Sequence, residues 1–173
     1  MIRITRMNIA DIPDLVAIEQ AGQVEPWSEA AFWEEVGIPH SLVLVARMIE
    51  PPPEPERDGA AAGYTCLWIV AGEAQVLNLA VHPLYRGRGV GRALLLHGLD
   101  IAVQRGAEKA FLEVRKSNAA ARKLYESVGF EKTGERPNFY RVNKEAAVLM
   151  ELRLDDQWTL TRDYAVPAPS FIT

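Results

Sequence analysis

Residues 79–96 read LAVHPLYRGRGVGRALLL, and the order of residue types in this run decides the fold. A nearly continuous apolar stretch, Val76 to Val81, ends at His82-Pro83. A basic, glycine-rich turn follows, Arg86-Gly87-Arg88-Gly89-Val90-Gly91. A helical stripe then begins, with Leu94, Leu95, Gly98, Leu99 and Ala102 on one face. Strand, glycine turn and helix together build an anion site. The free N–H groups of a helix start point at a ligand, and the helix dipole favours negative charge there. Gly87, Gly89 and Gly91 lack a Cβ, so phosphate oxygens can approach the backbone. Arg86, Arg88 and Arg92 bring positive charge and bidentate donors.

The elements on either side follow from caps and periodicity. Ile2 and Ile4, with Met7, suggest a short first strand. Asp11-Ile-Pro-Asp opens a helix with Leu15, Ile18 and Ala21 turned inward and Gly22 near its stop. Ser28 caps a second helix, 29–36, ended by Gly37 and Pro39. Strands are expected at 41–48, 62–70 and 74–81, with a turn at Ala71-Gly72-Glu73. Residues 51–59, PPPEPERDG, have four prolines in five positions and read as an extended surface loop. After the long helix, which ends near Gly106, comes a strand at 109–115. Phe111, Glu113 and Arg115 share one of its faces. Ser117 is expected to cap a helix carrying Ala121, Leu124, Tyr125 and Val128, stopped by Gly129. Strands at 130–135 and 147–154 complete the order β-α-α-β-β-β-α-β-α-β-β. The β-α-β crossover makes the fourth and fifth strands parallel, and the hairpins before it antiparallel. The result is a mixed α/β sheet with helices packed on it.

Composition bounds the function. The chain has 173 residues, of which 49% are hydrophobic and 24% charged, as in a soluble globular domain. One domain is expected over residues 1–154, with a tail at 155–173 that contains Trp158, Tyr164 and Phe171. No apolar run approaches the roughly 20 residues of a membrane span. The first residues carry Asp11, Asp14 and Glu19 rather than a long apolar segment, so a cytoplasmic protein is expected. The single Cys66 excludes an internal disulfide and a cysteine-based metal site, and it reads as a buried, inert thiol. The net charge of −4 speaks against nucleic acid as a partner. His40, His82 and His97 read as structural or surface residues, and no metal is expected.

The glycine turn does not match other phosphate-binding signatures. A dinucleotide fold wants Gly-x-Gly-x-x-Gly in its first β-α-β unit, and a Walker loop wants Gly-Lys-Ser/Thr. Here the pattern is Arg86-x-x-Gly89-x-Gly91 after the fourth strand. It resembles the Arg/Gln-x-x-Gly-x-Gly/Ala motif of the GNAT acetyltransferase superfamily. Residues 111–130, FLEVRKSNAAARKLYESVGF, resemble the second half of that fold. Pro26-Trp27-Ser28-Glu29, Asn78-Leu-Ala-Val-His-Pro83 and Asn138-Phe-Tyr140 are similar to segments of one group in it, the bacterial ribosomal-protein alanine N-acetyltransferases (RimI type).

The resemblance implies a central, mostly antiparallel sheet with one parallel, splayed pair of strands. It implies acetyl-CoA as cosubstrate, with pyrophosphate on the backbone of Arg86, Gly87, Arg88, Gly89, Val90, Gly91 and Arg92. The pantetheine would lie along Leu79, Ala80 and Val81, bonded through the backbones of Leu79 and Val81. Asn118 would contact CoA. Glu113 is implied as general base and Tyr125, which also touches the cosubstrate, as general acid. Trp27, Glu73, Asn138 and Tyr140 would hold the acceptor. A peptide α-amine has a pKa near 7.7–8.0 against about 10.4 for lysine, so its deprotonation is easier by roughly 3.5 kcal/mol. A modest base such as Glu113, acting directly or through water, suffices for it. No nucleophile for a covalent intermediate is apparent, so direct transfer is expected.

The expected activity is therefore acetyl transfer to a protein N-terminal amine, of a ribosomal protein if the group holds, by a monomer or homodimer. Two alternatives stand beside it. One keeps the fold with a small amine as acceptor, such as a polyamine, amino acid or antibiotic. The other is a non-catalytic acyl-CoA-binding module. The proline-rich loop and the tail depart from the family and bear on the acceptor more than on the chemistry.

Overall fold

A computed structural model describes residues 1–49, 59–155 and 158. The prolines of 51–55 and the tail residues Tyr164 and Phe171 lie outside the described residues. The elements run in the expected order: β1 (Ile2–Arg6), α1 (Ile12–Gly22), α2 (Glu29–Val36), β2 (Ser41–Met48), β3 (Ala61–Val70) and β4 (Glu73–Val81). After these come α3 (Val90–Gln104), β5 (Lys109–Arg115), α4 (Ala119–Val128), β6 (Glu131–Arg136) and β7 (Ala147–Arg153). Single 3-10 turns at Ile9–Asp11 and Pro83–Tyr85 precede α1 and the glycine turn.

The strands form one sheet in the order β1-β2-β3-β4-β5-β7-β6. Every pair is antiparallel except β4 with β5. That parallel pair is short, running only from Glu73↔Lys109 to Val76↔Leu112. Beyond it β4 stays with β3 and β5 stays with β7, so the two strands part. The register of β4 slips by one residue between Asn78 and Val76, leaving Leu77 as the extra residue of a bulge. A bulge bends its strand and breaks the ladder, and here it sits where the splay begins.

Helices cover both faces. On one side α3 and α4 pack Leu94, Leu95, Leu99 and Tyr125 against Leu42, Leu44, Leu112 and Met150. On the other, Ile12, Leu15, Ile18 and Phe32 of α1 and α2 pack against Val43, Val45, Tyr64 and Cys66. Burial on both faces explains why Leu42–Ala46 is a continuous apolar run rather than an alternation. Trp158 joins the first of these cores at 8% exposure, so the start of the tail packs on its own domain. Its N–H donates to the backbone and side chain of Asp155.

Some local expectations need correction. The inward stripe of α1 is Ile12, Leu15, Ile18 and Glu19, and Ala21 faces solvent. Asn118 rather than Ser117 caps α4, its Oδ1 accepting from Ala121 N at 3.1 Å, while Ser117 N donates to Glu145. The β3–β4 turn is the two residues Ala71-Gly72, both with positive φ, and Glu73 already belongs to β4. That mirror-image turn matches the twist of a hairpin. Cys66 is buried, as expected.

Candidate active site

The parting of β4 and β5 opens a cleft with two lobes. The larger, about 560 Å³, runs from Leu79 and Val81 over the glycine turn. The smaller, about 230 Å³, holds Glu113, Trp27, Asn78 and Tyr140. Leu79, Asn118, Ala121 and Tyr125 border both lobes and join them.

The glycine turn presents donors to the larger lobe. Ala93 is the first residue of α3 whose N–H finds a helical acceptor, Gly89 O at 2.9 Å. The N–H groups of Val90 and Gly91 precede it, in the first turn, where a helix offers no acceptor four residues back. Gly87 and Gly89 have φ of 73° and 80°, which L side chains rarely adopt. A Cβ on either would project into empty space. An open, left-handed turn leading into unsatisfied helix donors fits a diphosphate, and the splayed backbone of Leu79, Ala80 and Val81 fits the arm attached to it.

The arginines divide their work. Arg86 and Arg92 border the larger lobe. The Arg86 guanidinium, however, is turned back, with Nε donating to Val81 O at 3.2 Å and Nη2 to Gly22 O at 3.5 Å. It ties the end of β4 to the end of α1. Arg88 is not part of the lining and lies over the Tyr85 ring, 5.7 Å from its centroid. The anion lobe is therefore built more from backbone than from guanidinium groups.

In the smaller lobe the Glu113 carboxylate pairs with Arg136, Oε1 to Nη1 at 3.0 Å, rather than with its strand neighbour Arg115. Tyr125 is 7% exposed, with its ring edge-on to Phe130 at 5.8 Å. Burial, then the nearby Tyr140, pushes its phenol well above the usual tyrosine range. The group is thus protonated at neutral pH. Trp27 and Tyr140 both stand on the wall of this lobe.

Two of the residues expected at the acceptor site are elsewhere. Glu73 lies at the opposite end of β4, where its carboxylate pairs with Lys109 at 2.8 Å. The cleft opens at the carboxyl end of the strand, and Glu73 is its first residue. Asn138 is exposed in the β6–β7 connection with φ of 53°, outside the cleft lining. The three histidines also lie outside the cleft lining.

Other residues of the site were not singled out from the sequence. Glu25 and Arg115 line the smaller lobe. Arg115 stacks on Tyr140 at 3.8 Å, pairs with Glu25 and Glu145, and donates to Asn143. Glu25 also accepts from Val142 N at 2.7 Å, so the α1–α2 and β6–β7 connections meet over the acceptor end. Glu145 is held down at about 2 by its Ser117 hydrogen bonds first, with Asn143 and Arg115 adding to them. Beneath this lobe Glu19 is 0% exposed. Its Oε2 accepts from Trp27 N at 2.7 Å and its Oε1 from Tyr64 OH at 2.8 Å and Asn78 Nδ2 at 3.2 Å. Burial raises its carboxyl, against the pull of those donors. One signal in the sequence pointed to Glu19: a charged residue one turn on from Leu15, on the apolar stripe of α1.

Among the described residues no helix is long and apolar enough to cross a membrane, and no three His, Cys, Asp or Glu gather as a metal site.

Comparison with known proteins agrees with this geometry. The model of the acetyltransferase (GNAT) family matches residues 12–130. The ribosomal protein bS18-alanine N-acetyltransferase of Escherichia coli (strain K12) is 36% identical over 151 residues, 86% of this chain and 95% of that protein. N-alpha-acetyltransferase RimI of Mycobacterium tuberculosis is 36% identical over 148 residues, 83% of this chain and 80% of that one. The crystal structure of the Escherichia coli ribosomal-protein-S18-alanine N-acetyltransferase superposes with a TM-score of 0.77 at 35% identity, covering 90% of this chain and 95% of that one. The anion turn, the splayed strands and these relatives make the chain a member of the GNAT acetyltransferase family, an N-acetyltransferase that uses acetyl-CoA as its cosubstrate.

Proposed function

We propose that the chain acetylates the N-terminal α-amine of a protein, with an alanine-initiated ribosomal protein as the acceptor class. The observation that carries this reading is the wall of the smaller lobe: Trp27 and Tyr140 flank the space in front of Glu113. The two aromatic walls give the first side chains of an extended peptide a surface to pack against, and Arg115 already stacks on the Tyr140 ring, which weighs against an aromatic cage for a lone small cation. The Escherichia coli relative, named a ribosomal protein bS18-alanine N-acetyltransferase, and the Mycobacterium tuberculosis one, named an N-alpha-acetyltransferase, support the same choice.

Acetyl-CoA supplies the thioester. The glycine turn and the N–H groups of Val90 and Gly91 hold its diphosphate, and the backbone of Leu79 to Val81 aligns its pantetheine. The α-amine attacks as the neutral species, its ammonium having lost one proton to solvent, and Glu113 takes the second proton that nitrogen sheds as the C–N bond forms, directly or through a water. The amine lone pair forms the new C–N bond, the C–S bond breaks, and the departing sulfur takes its proton from the Tyr125 phenol. Solvent restores both groups. Tyr125 is read as the acid because it carries its proton at neutral pH and borders both lobes, between the anion turn and Glu113.

An acetyl-transfer assay across short peptides with free N-termini tests the reading, with polyamines and amino acids alongside. Transfer to alanine-initiated peptides, at a kcat/KM far above that for small amines or internal lysines, is the expected result. Preference for a small amine sinks it.

A further inference from the structure

Among the polar groups of the smaller lobe that the chemistry above does not use is the carboxamide of Asn78, which lies beside Glu113 in the lining. Its orientation follows from its neighbours. Tyr64 spends its only proton on Glu19 Oε1 at 2.8 Å, so the phenol oxygen can thereafter only accept. An ionised Glu19 can also only accept. Asn78 faces both oxygens, with Nδ2 2.7 Å from Tyr64 Oη and 3.2 Å from Glu19 Oε1. Both demand a donor, so the NH₂ end of the amide must point inward. The carbonyl end, Oδ1, is then turned away from the pair.

Oδ1 makes no hydrogen bond among the described residues, yet it is not one of the buried polar atoms left without a partner. It is therefore not sealed in the core. Asn78 borders the smaller lobe only, beside Glu113 and Trp27, and does not border the anion lobe. The bulge at Leu77 sets this facing, because Asn78 is the first residue after the register slips. Beneath it, Glu19 also holds Trp27 N at 2.7 Å, so one buried carboxylate fixes both the amide and the start of the acceptor wall.

We infer that Asn78 Oδ1 is the hydrogen-bond acceptor that orients the incoming amine, and that Glu19 is a positioning residue that keeps it aimed through Tyr64. An amine nitrogen that donates one N–H to Oδ1 has its remaining N–H and its lone pair free for the base and the thioester. The inference rests on the acetyl-transfer reading but not on the identity of the acceptor, since every primary amine carries the required N–H.

Steady-state kinetics of the full chain test it, with the preferred amine of the wild type as acceptor and acetyl-CoA binding measured separately. Asn78→Ala should raise the acceptor KM about tenfold, the scale of one hydrogen bond to a charged or polarised donor. Acetyl-CoA affinity should not change. Glu19→Gln, which touches no substrate, should raise the same KM, because a glutamine can donate and lets the Asn78 amide turn over. Tyr64→Phe keeps the ring in the core and removes one of the two anchors, so it repeats the test if Glu19→Gln fails to fold. An unchanged acceptor KM in Asn78→Ala overturns the inference. So does a loss of acetyl-CoA affinity as large as the loss for the acceptor, which would place Oδ1 on the cosubstrate. A wild type that transfers acetyl to small amines but not to peptides overturns the protein-acceptor reading and leaves this one to be decided on the small amine.

Discussion

The Arg115 guanidinium lies 3.8 Å from the centroid of the Tyr140 ring, and this one stack links three parts of the chain. Arg115 comes from β5, Tyr140 from the β6–β7 connection, and Glu25, 3.3 Å from Arg115 Nη2, from the α1–α2 connection. The cation is only 13% exposed, so its partners are weakly screened by solvent. Replacing it leaves Glu25 and Glu145 without their shared cation. Arg115→Met should lower stability by about 1.5–3 kcal/mol, the scale of hydrogen bonds to charged groups. It should also raise the acceptor KM while sparing acetyl-CoA affinity, as denaturant melts and kinetics on one preparation will show.

Glu113→Gln and Tyr125→Phe separate chemistry from binding. General acid–base groups contribute roughly 10²–10⁴-fold, so each variant should lose at least about a hundredfold in kcat. Acetyl-CoA affinity, read as its stabilisation of the protein on heating, should stay near wild type. Variants that turn over like wild type would remove both residues from the mechanism.

Gly89 and Gly91 look alike in the motif but differ in conformation. Gly89 has φ of 80°, whereas a Cβ on Gly91 would meet Leu124 and Val81 at 3.4 Å, an ordinary contact. Gly89→Val should cost about 1–2 kcal/mol in backbone strain alone and weaken acetyl-CoA binding. Gly91→Ala should hold or gain stability, since alanine is the better helix former by roughly 0.5–1 kcal/mol. Thermal melts with and without acetyl-CoA distinguish the two.

Glu145 gives a pH signature. Its carboxyl is depressed from 4.5 to about 2 in the folded protein. A depressed carboxyl stabilises the fold above its unfolded value and loses that contribution as pH falls toward the folded one. The Tm of the wild type should therefore fall between pH 4.5 and about 2 in part through this group. Glu145→Gln should be less stable at neutral pH and show a shallower fall across that window.

The overlap at Gly63 tests the packing that carries the site. A Cβ there would stand 2.7 Å from Ala80 O, a backbone atom of the strand along which the cosubstrate is proposed to lie. Gly63→Ala should destabilise the fold by about 1–3 kcal/mol, and acetyl-CoA should restore less of the lost Tm than it does for a core variant far from the cleft, such as Leu44→Ala.

Much of this molecule was legible along the chain. The edges of α2, β2 and β5 fall where a cap, a β-rich run and alternation respectively place them, and the β4–turn–α3 unit was read from residues 79–96. Glu113 and Tyr125 were named from the family resemblance of residues 111–130, and both line the cleft. Glu73 and Asn138, also named from the resemblance, lie outside the cleft lining, because which end of β4 and which part of the β6–β7 connection meets the cleft is set by the assembled sheet. The Arg136 partner of Glu113 was also hidden, since it depends on β6 and β5 flanking β7.

The physical division follows from range. Helix periodicity, caps and glycine φ are settled within a few residues, so the string of elements and the anion turn could be derived from composition and spacing alone. The pairing of Glu19 with Tyr64 and Asn78 spans 45 and 59 residues. It exists only because β3 and β4 lie in one register and the bulge at Leu77 turns Asn78 toward α1. A shift of one residue in a strand sends every side chain to the other face, so which polar groups meet was left to the packing of the whole sheet.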